Sequence, residues 1–143
     1  MSASSNKLRR RERLLLWAPV LVWALAIFFV SAQSTLPAIG EDWLDRAVKQ
    51  LSHSLEYAVF AWLVWRPLTH FGESRGRRHY LVAWLLCFAY ALSDEFHQSF
   101  VPGRVADWRD LLADGLGAAA VLLALARWQV ARSLALLGRR RPS

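Results

Sequence analysis

LLLWAPVLVWALAIFFVSA, residues 14–32, contains no charged side chain. A helix needs about 20 apolar residues to cross the hydrocarbon core of a bilayer. This stretch meets that requirement and sets the class as an all-α membrane protein. Pro19 does not argue against it, because neighbouring groups in a membrane bundle can satisfy the carbonyl that a proline frees. Three further apolar runs follow, near 48–65, 80–98 and 107–127. The expectation is one domain of four transmembrane helices in a compact bundle, residues 14–127, between basic tails at 1–13 and 128–143. The N-terminal tail is expected to be disordered.

Composition agrees. The chain has 143 residues, is 55% hydrophobic and carries 8 Trp and 7 Phe. The formal charge of +7 could suggest nucleic acid, but the basic residues flank the apolar runs. They cluster at Lys7–Arg13, Arg66–Arg78 and Arg127–Arg141. Short cytoplasmic loops carry the excess of Lys and Arg, so the termini and the loop at 66–79 are expected inside. The loops at 33–47 and 93–109 are then outside, which gives an N-in/C-in multi-pass protein of a bacterial inner membrane. A cleaved signal peptide ending at Val30-Ser31-Ala32 is the rival reading. The apolar run is longer than the usual 7–15 residue core of a signal, and three hydrophobic segments come after it.

Helix ends read less firmly. Arg66-Pro67 is expected to stop the second helix, because the residue before a proline is pushed from helical geometry. The third run is strictly apolar only from Tyr80 to Leu92. At 1.5 Å per residue that is about 20 Å, against a core of roughly 30 Å. The helix must therefore continue through Ser93-Asp94-Glu95-Phe96-His97-Gln98, and Val101-Pro102-Gly103-Arg104 makes a turn. The fourth helix likewise needs Asp110 and Asp114 within its span. Gly115-xxx-Ala119 fits the small-xxx-small packing pattern. Cys87, the single cysteine, reads as a small packing residue.

Charge beside hydrocarbon is costly and marks functional candidates. Here it gathers at one end of the bundle. Lys49, His53, Glu56 and Tyr57 share a helical face, as do Tyr90, Asp94, His97 and Gln98, and Asp107, Asp110, Asp114 and Gly117. Three polar faces at one depth must meet each other or a wet cavity. Lys49, Arg104 and Arg109 are the cations available to balance the carboxylates. Ser31, Gln33 and Ser34 end the first helix and could face the same place, or form an ordinary polar loop.

Three uses stay open. The cluster could be a salt-bridge network that fixes helix register. It could bind a polar headgroup, with Arg104 as a fork for phosphate or carboxylate. It could also be catalytic, with His53, Glu56, Asp94 and Glu95 as candidates. His53-x-x-Glu56 and Asp94-x-x-His97 have the i, i+3 spacing that chelates metal in helical bundles, so those four are the candidate metal ligands. Without metal, His53 beside Glu56 could act as a general base. No Gly-x-Ser-x-Gly, phosphate loop, His-Glu-x-x-His or cysteine site is present in the sequence.

Ser31-Ala-Gln33-Ser34, Lys49-x-x-x-His53-x-x-Glu56-Tyr57, Ser93-Asp94-Glu95-x-His97-Gln98-x-Phe100-Val101-Pro102-Gly103-Arg104 and Asp107-x-x-Asp110-x-x-x-Asp114-x-x-Gly117 together resemble the VanZ-like family. The resemblance spans about residues 14–126. Asp114 departs from it, since the family pattern commonly has Asn there. The resemblance implies a small polytopic bacterial membrane protein, in some members a module of a larger one. The family is named for a member linked to teicoplanin resistance, and kinship of fold does not transfer that role. The leading expectation is binding or modification of an envelope component with a polar or anionic head, such as a lipid-linked precursor. Lys49, Tyr57, His97, Gln98, Arg104, Asp107, Asp110 and Asp114 would bind it. A metal-dependent enzyme and a structural subunit bound to a protein partner are the alternatives. The expected partners are the bilayer and such a precursor or protein, not nucleic acid.

Overall fold

A computed structural model of the chain describes residues 3–33, 42–71, 76–104 and 107–138. Helices account for almost all of them: α1 (Ala3–Ser31), α2 (Asp42–Phe71), α3 (Arg77–Gln98) and α4 (Trp108–Gly138), with no strand among the described residues. Two segments, Leu8–Ser31 and Trp108–Leu136, are long and apolar enough to cross a membrane. In α2 and α3 charged residues lie within the helices, Lys49 and Glu56 in one and Asp94 and Glu95 in the other.

Three helices outrun the apolar segments. α1 begins at Ala3, so much of the basic tail expected to be disordered is helical. α2 begins at Asp42 and passes through Pro67 to Phe71. The expected stop at Arg66-Pro67 therefore fails. Pro67 is buried, and the Thr69 hydroxyl donates to the Trp65 and Arg66 carbonyls at 3.0 and 3.2 Å. Packing and local side-chain bonding thus hold a helix that the proline disfavours. α4 continues past Arg127 to Gly138. Ser34, and the loop centres at 34–41, 72–75 and 105–106, lie outside the described residues.

α2 packs against all three other helices, and α1 and α4 lie on opposite sides without meeting. The core runs through Val20 and Ile27 of α1, Tyr57, Phe60, Ala61 and Val64 of α2, and Ala118 and Leu122 of α4. α3 contributes Ala83, Cys87 and Ala91, spaced i, i+4, i+8 and all fully buried. Such a stripe of small residues lets helices approach closely, and it makes Cys87 the packing residue its context implies.

Aromatic donors join the helices through backbone oxygens. Trp23 Nε1 donates to Glu56 O at 3.1 Å, Tyr90 Oη to Ala24 O at 2.6 Å and Trp84 Nε1 to Gly115 O at 3.0 Å. Buried Tyr and Trp need partners for their polar tips, and each of these bonds fixes the height of one helix on another.

The distribution of polarity is inverted relative to a soluble protein. Leu15, Leu21, Phe29, Leu81, Leu116 and Leu123 are more than half exposed, while Asp94, Glu95, Asp110 and Asp114 are buried. An apolar exterior around a polar interior suits a lipid solvent, where ionisable groups turn inward.

Candidate functional site

Asp110 is the most deeply buried carboxylate among the described residues, at 0% exposure. It sits in the first turn of α4, where a negative charge is favoured by the unpaired N–H groups. Two side chains of α2 hold it. Lys49 Nζ lies 2.6 Å from Oδ2, and Gln50 Nε2 donates to Oδ1 at 2.6 Å. One turn on, His53 Nδ1 meets Asp114 Oδ1 at 3.0 Å, and its Nε2 is 3.8 Å from Asp110. Lys49 and His53 on α2, and Asp110 and Asp114 on α4, are each four residues apart. Two ladders of opposite polarity therefore face each other in register.

The register has a steric cause. A Cβ on Gly117 would overlap the Ser54 carbonyl oxygen and lie 2.6 and 2.7 Å from its carbonyl carbon and Cα. Only a glycine allows α2 and α4 this approach. Ser54 Oγ also donates to Ala113 O at 3.1 Å. The close-contact glycine is Gly117, from the polar face. Gly115 instead meets Phe88 of α3 at 3.4 Å.

α3 supplies a second group. Asp94 accepts from Ser31 Oγ at 2.5 Å and from Gln98 Nε2 at 3.0 Å. Ser31 thus belongs to the site, and the reading of it as an ordinary loop residue fails. Glu95 Oε2 accepts the Asp107 backbone N–H at 3.0 Å. Asp107 in turn caps α4, its Oδ1 accepting from Arg109 N at 2.9 Å, as an N-cap aspartate does. Glu56 is half-buried on α2, within electrostatic reach of His53, Asp114 and Asp94.

Several polar atoms at this end are buried without a hydrogen bond: Tyr57 Oη, Glu95 Oε1, His97 Nδ1 and Arg104 Nε. Tyr57 is 1% exposed. Arg104 is aimed by the turn Val101-Pro102-Gly103-Arg104. Its N–H closes on Val101 O at 3.1 Å, with Gly103 at φ 80°, as a type II turn requires at its third residue.

The structure reassigns some expected roles. Lys49 is the cation that balances Asp110. Arg104 makes no ion pair among the described residues, and Arg109 lies 5.8 Å from the Trp108 ring. The two i, i+3 pairs diverge. His53 turns to Asp114, Asp94 to Ser31 and Gln98, and the His97 ring lies tilted against Phe28 with centroids 4.3 Å apart. Among the described residues no three His, Cys, Asp or Glu side chains are grouped so as to hold a metal ion. Sequence reasoning missed Gln50 and Ser54. Both lie on the face of His53 and Tyr57 at helical spacing, and that signal would have found them.

The arrangement can do two things chemically. Its partnered carboxylates join α1 to α3 and α2 to α4. Its unpartnered atoms are donors in Tyr57 and Arg104 and an acceptor in Glu95.

No curated protein and no solved structure matches the chain. A family model does, VanZ/LLP1, over residues 4–129. With most of its length matched, and with the buried polar faces that the resemblance marked, the chain belongs to the VanZ/LLP1 family.

Proposed function

We propose that this membrane protein crosses the bacterial inner membrane four times, with both termini inside. We further propose that its polar end faces outward and binds or modifies the polar or anionic head of an envelope component. A lipid-linked precursor is the favoured class, because the site would lie at headgroup depth. Support for the topology comes from the basic clusters, which fall at one end of the bundle, while the buried carboxylates fall at the other.

One observation carries the ligand reading: buried polar atoms at the end of the bundle have no partner. A buried polar group left unpaired costs about 1–3 kcal/mol. Tyr57 Oη, Glu95 Oε1 and Arg104 Nε all stand in that state. A bound head with hydroxyls and a phosphate would accept from Tyr57 and Arg104 and donate to Glu95. The guanidinium is suited to phosphate, and no carboxylate of the described residues pairs with it.

A second reading, a ligand-free network that fixes register, draws on the matched partners of Asp94, Asp110 and Asp114. Native mass spectrometry of the protein in mild detergent separates the two. The expected result is a defined lipid adduct in wild type that Asp94→Asn and Arg104→Ala lose while remaining folded, together with failure of both variants to complement a deletion. Equal adducts in all three proteins, with full complementation, refute the ligand reading. Loss of detergent stability with no adduct in wild type favours the network.

A further inference from the structure

A groove of about 980 Å³ lies at the opposite end of the bundle, between the start of α3 and the last turns of α4. It exists because α4, at 31 residues, outlasts α3, at 22 residues. The volume is at the upper end of the roughly 300–1,000 Å³ of ligand pockets. Leu122, Leu123 and Ala126 form its floor, and Trp128 and Leu134 lie along α4 beside them. Arg77 and Arg132 flank it from opposite helices. Both are exposed, and neither has a carboxylate partner among the described residues. Arg132 lies over the Trp128 ring at 4.7 Å, so its guanidinium is held at the rim. Tyr80, also in the lining, stacks on Trp65 with centroids 6.0 Å apart and forms a fixed wall.

In the four-span topology proposed above the groove lies at a bilayer surface, where an apolar trough between two arginines selects an amphiphile with a negative head. We propose that this groove is a binding site for an anionic phospholipid, its acyl chain along Leu122, Leu123 and Ala126 and its phosphate between Arg77 and Arg132. Charge complementarity names the occupant. At this end of the described chain Arg66, Arg77, Arg78, Arg127 and Arg132 join the arginines of α1, against the single acidic residue Glu12. Basic pockets between helices on the cytoplasmic side bind anionic heads by this chemistry. A zwitterionic lipid would fill the trough but leave the two guanidinium charges unbalanced. The site is independent of the buried carboxylates at the other end.

The test compares phosphatidylglycerol with phosphatidylcholine of the same acyl chains, added to the full-length protein in detergent and read by native mass spectrometry. Each arginine near the head should contribute roughly a five-fold preference. With two arginines, wild type is expected to retain phosphatidylglycerol about 25-fold more strongly. The double variant Arg77→Gln/Arg132→Gln should lose that preference, and Ala126→Trp, which fills the floor, should lose both lipids. Arg10→Gln/Arg11→Gln, basic residues of α1 outside the groove, should keep the wild-type preference. Thermal unfolding in lipid-free detergent checks that every variant folds. Three outcomes overturn the proposal: equal retention of the two lipids by wild type, an equal loss in the α1 variant, or a protein dimer that occupies the groove and excludes lipid.

Discussion

Gly117 of α4 lies against the backbone of Ser54 of α2 with no room for a Cβ between them. This contact sets the distance at which Lys49 and His53 reach Asp110 and Asp114. The polar cluster therefore depends on a residue that carries no polar side chain.

Gly117→Ala should destabilise the bundle by about 1–3 kcal/mol, the usual cost of overpacking, because the atoms in the way are backbone. Gly115→Ala should be tolerated, since its nearest neighbour is the Phe88 ring edge at 3.4 Å. Denaturation in mixed detergent micelles measures both. Equal stability of the two variants would show that α2 and α4 can separate without loss.

Ser31→Ala should loosen α1 from α3. The Ser31 hydroxyl is the only side-chain-to-side-chain hydrogen bond between these two helices among the described residues, and they touch each other least of the adjacent pairs. Asp94 would keep Gln98 but lose one buried partner, at about 1–3 kcal/mol. Ser31→Thr, which restores the hydroxyl, should recover most of it. A Ser31→Ala protein as stable as wild type would place Ser31 outside the support of the site.

The apolar runs made four helices legible, because a long uncharged segment has few other stable forms in a bilayer. Helical spacing also placed Lys49 with His53 and Asp110 with Asp114 on one side of their helices, since the period is fixed by the backbone. The helix ends were not legible. Arg9, Arg10 and Arg11 are good helix formers, and nothing obliges a helix to stop where its apolar part does. Nor were the partners. The pairing of His53 with Asp114, and of Asp94 with Ser31, depends on which helices are neighbours and how closely they approach. Spacing within one helix says nothing about either.

Lys49 and Asp110 should be energetically coupled. A double-mutant cycle with Lys49→Gln and Asp110→Asn should give a coupling of about 0.5–3 kcal/mol. The lower half of that range is expected, because the Lys49 side chain is 36% exposed and solvent screens it. Asp110→Asn alone should cost more than Lys49→Gln, since it disturbs Gln50 as well as Lys49. Strict additivity in the cycle would mean that the 2.6 Å pair contributes nothing in solution.

The proposed orientation can be read from cysteine chemistry. The only native thiol, Cys87, is fully buried between helices, so wild-type protein in intact cells should be nearly blank to a membrane-impermeant maleimide. Gln33 at the end of α1 and Ser133 near the end of α4 are both exposed, and they lie at opposite ends of the bundle. If the basic ends face inward, Gln33→Cys should label in intact cells and Ser133→Cys only after the membrane is opened. The reverse pattern would invert the protein and put the carboxylate cluster on the cytoplasmic side. Labelling of both from outside would mean that α4 does not cross, and that its 29-residue apolar segment serves packing rather than passage.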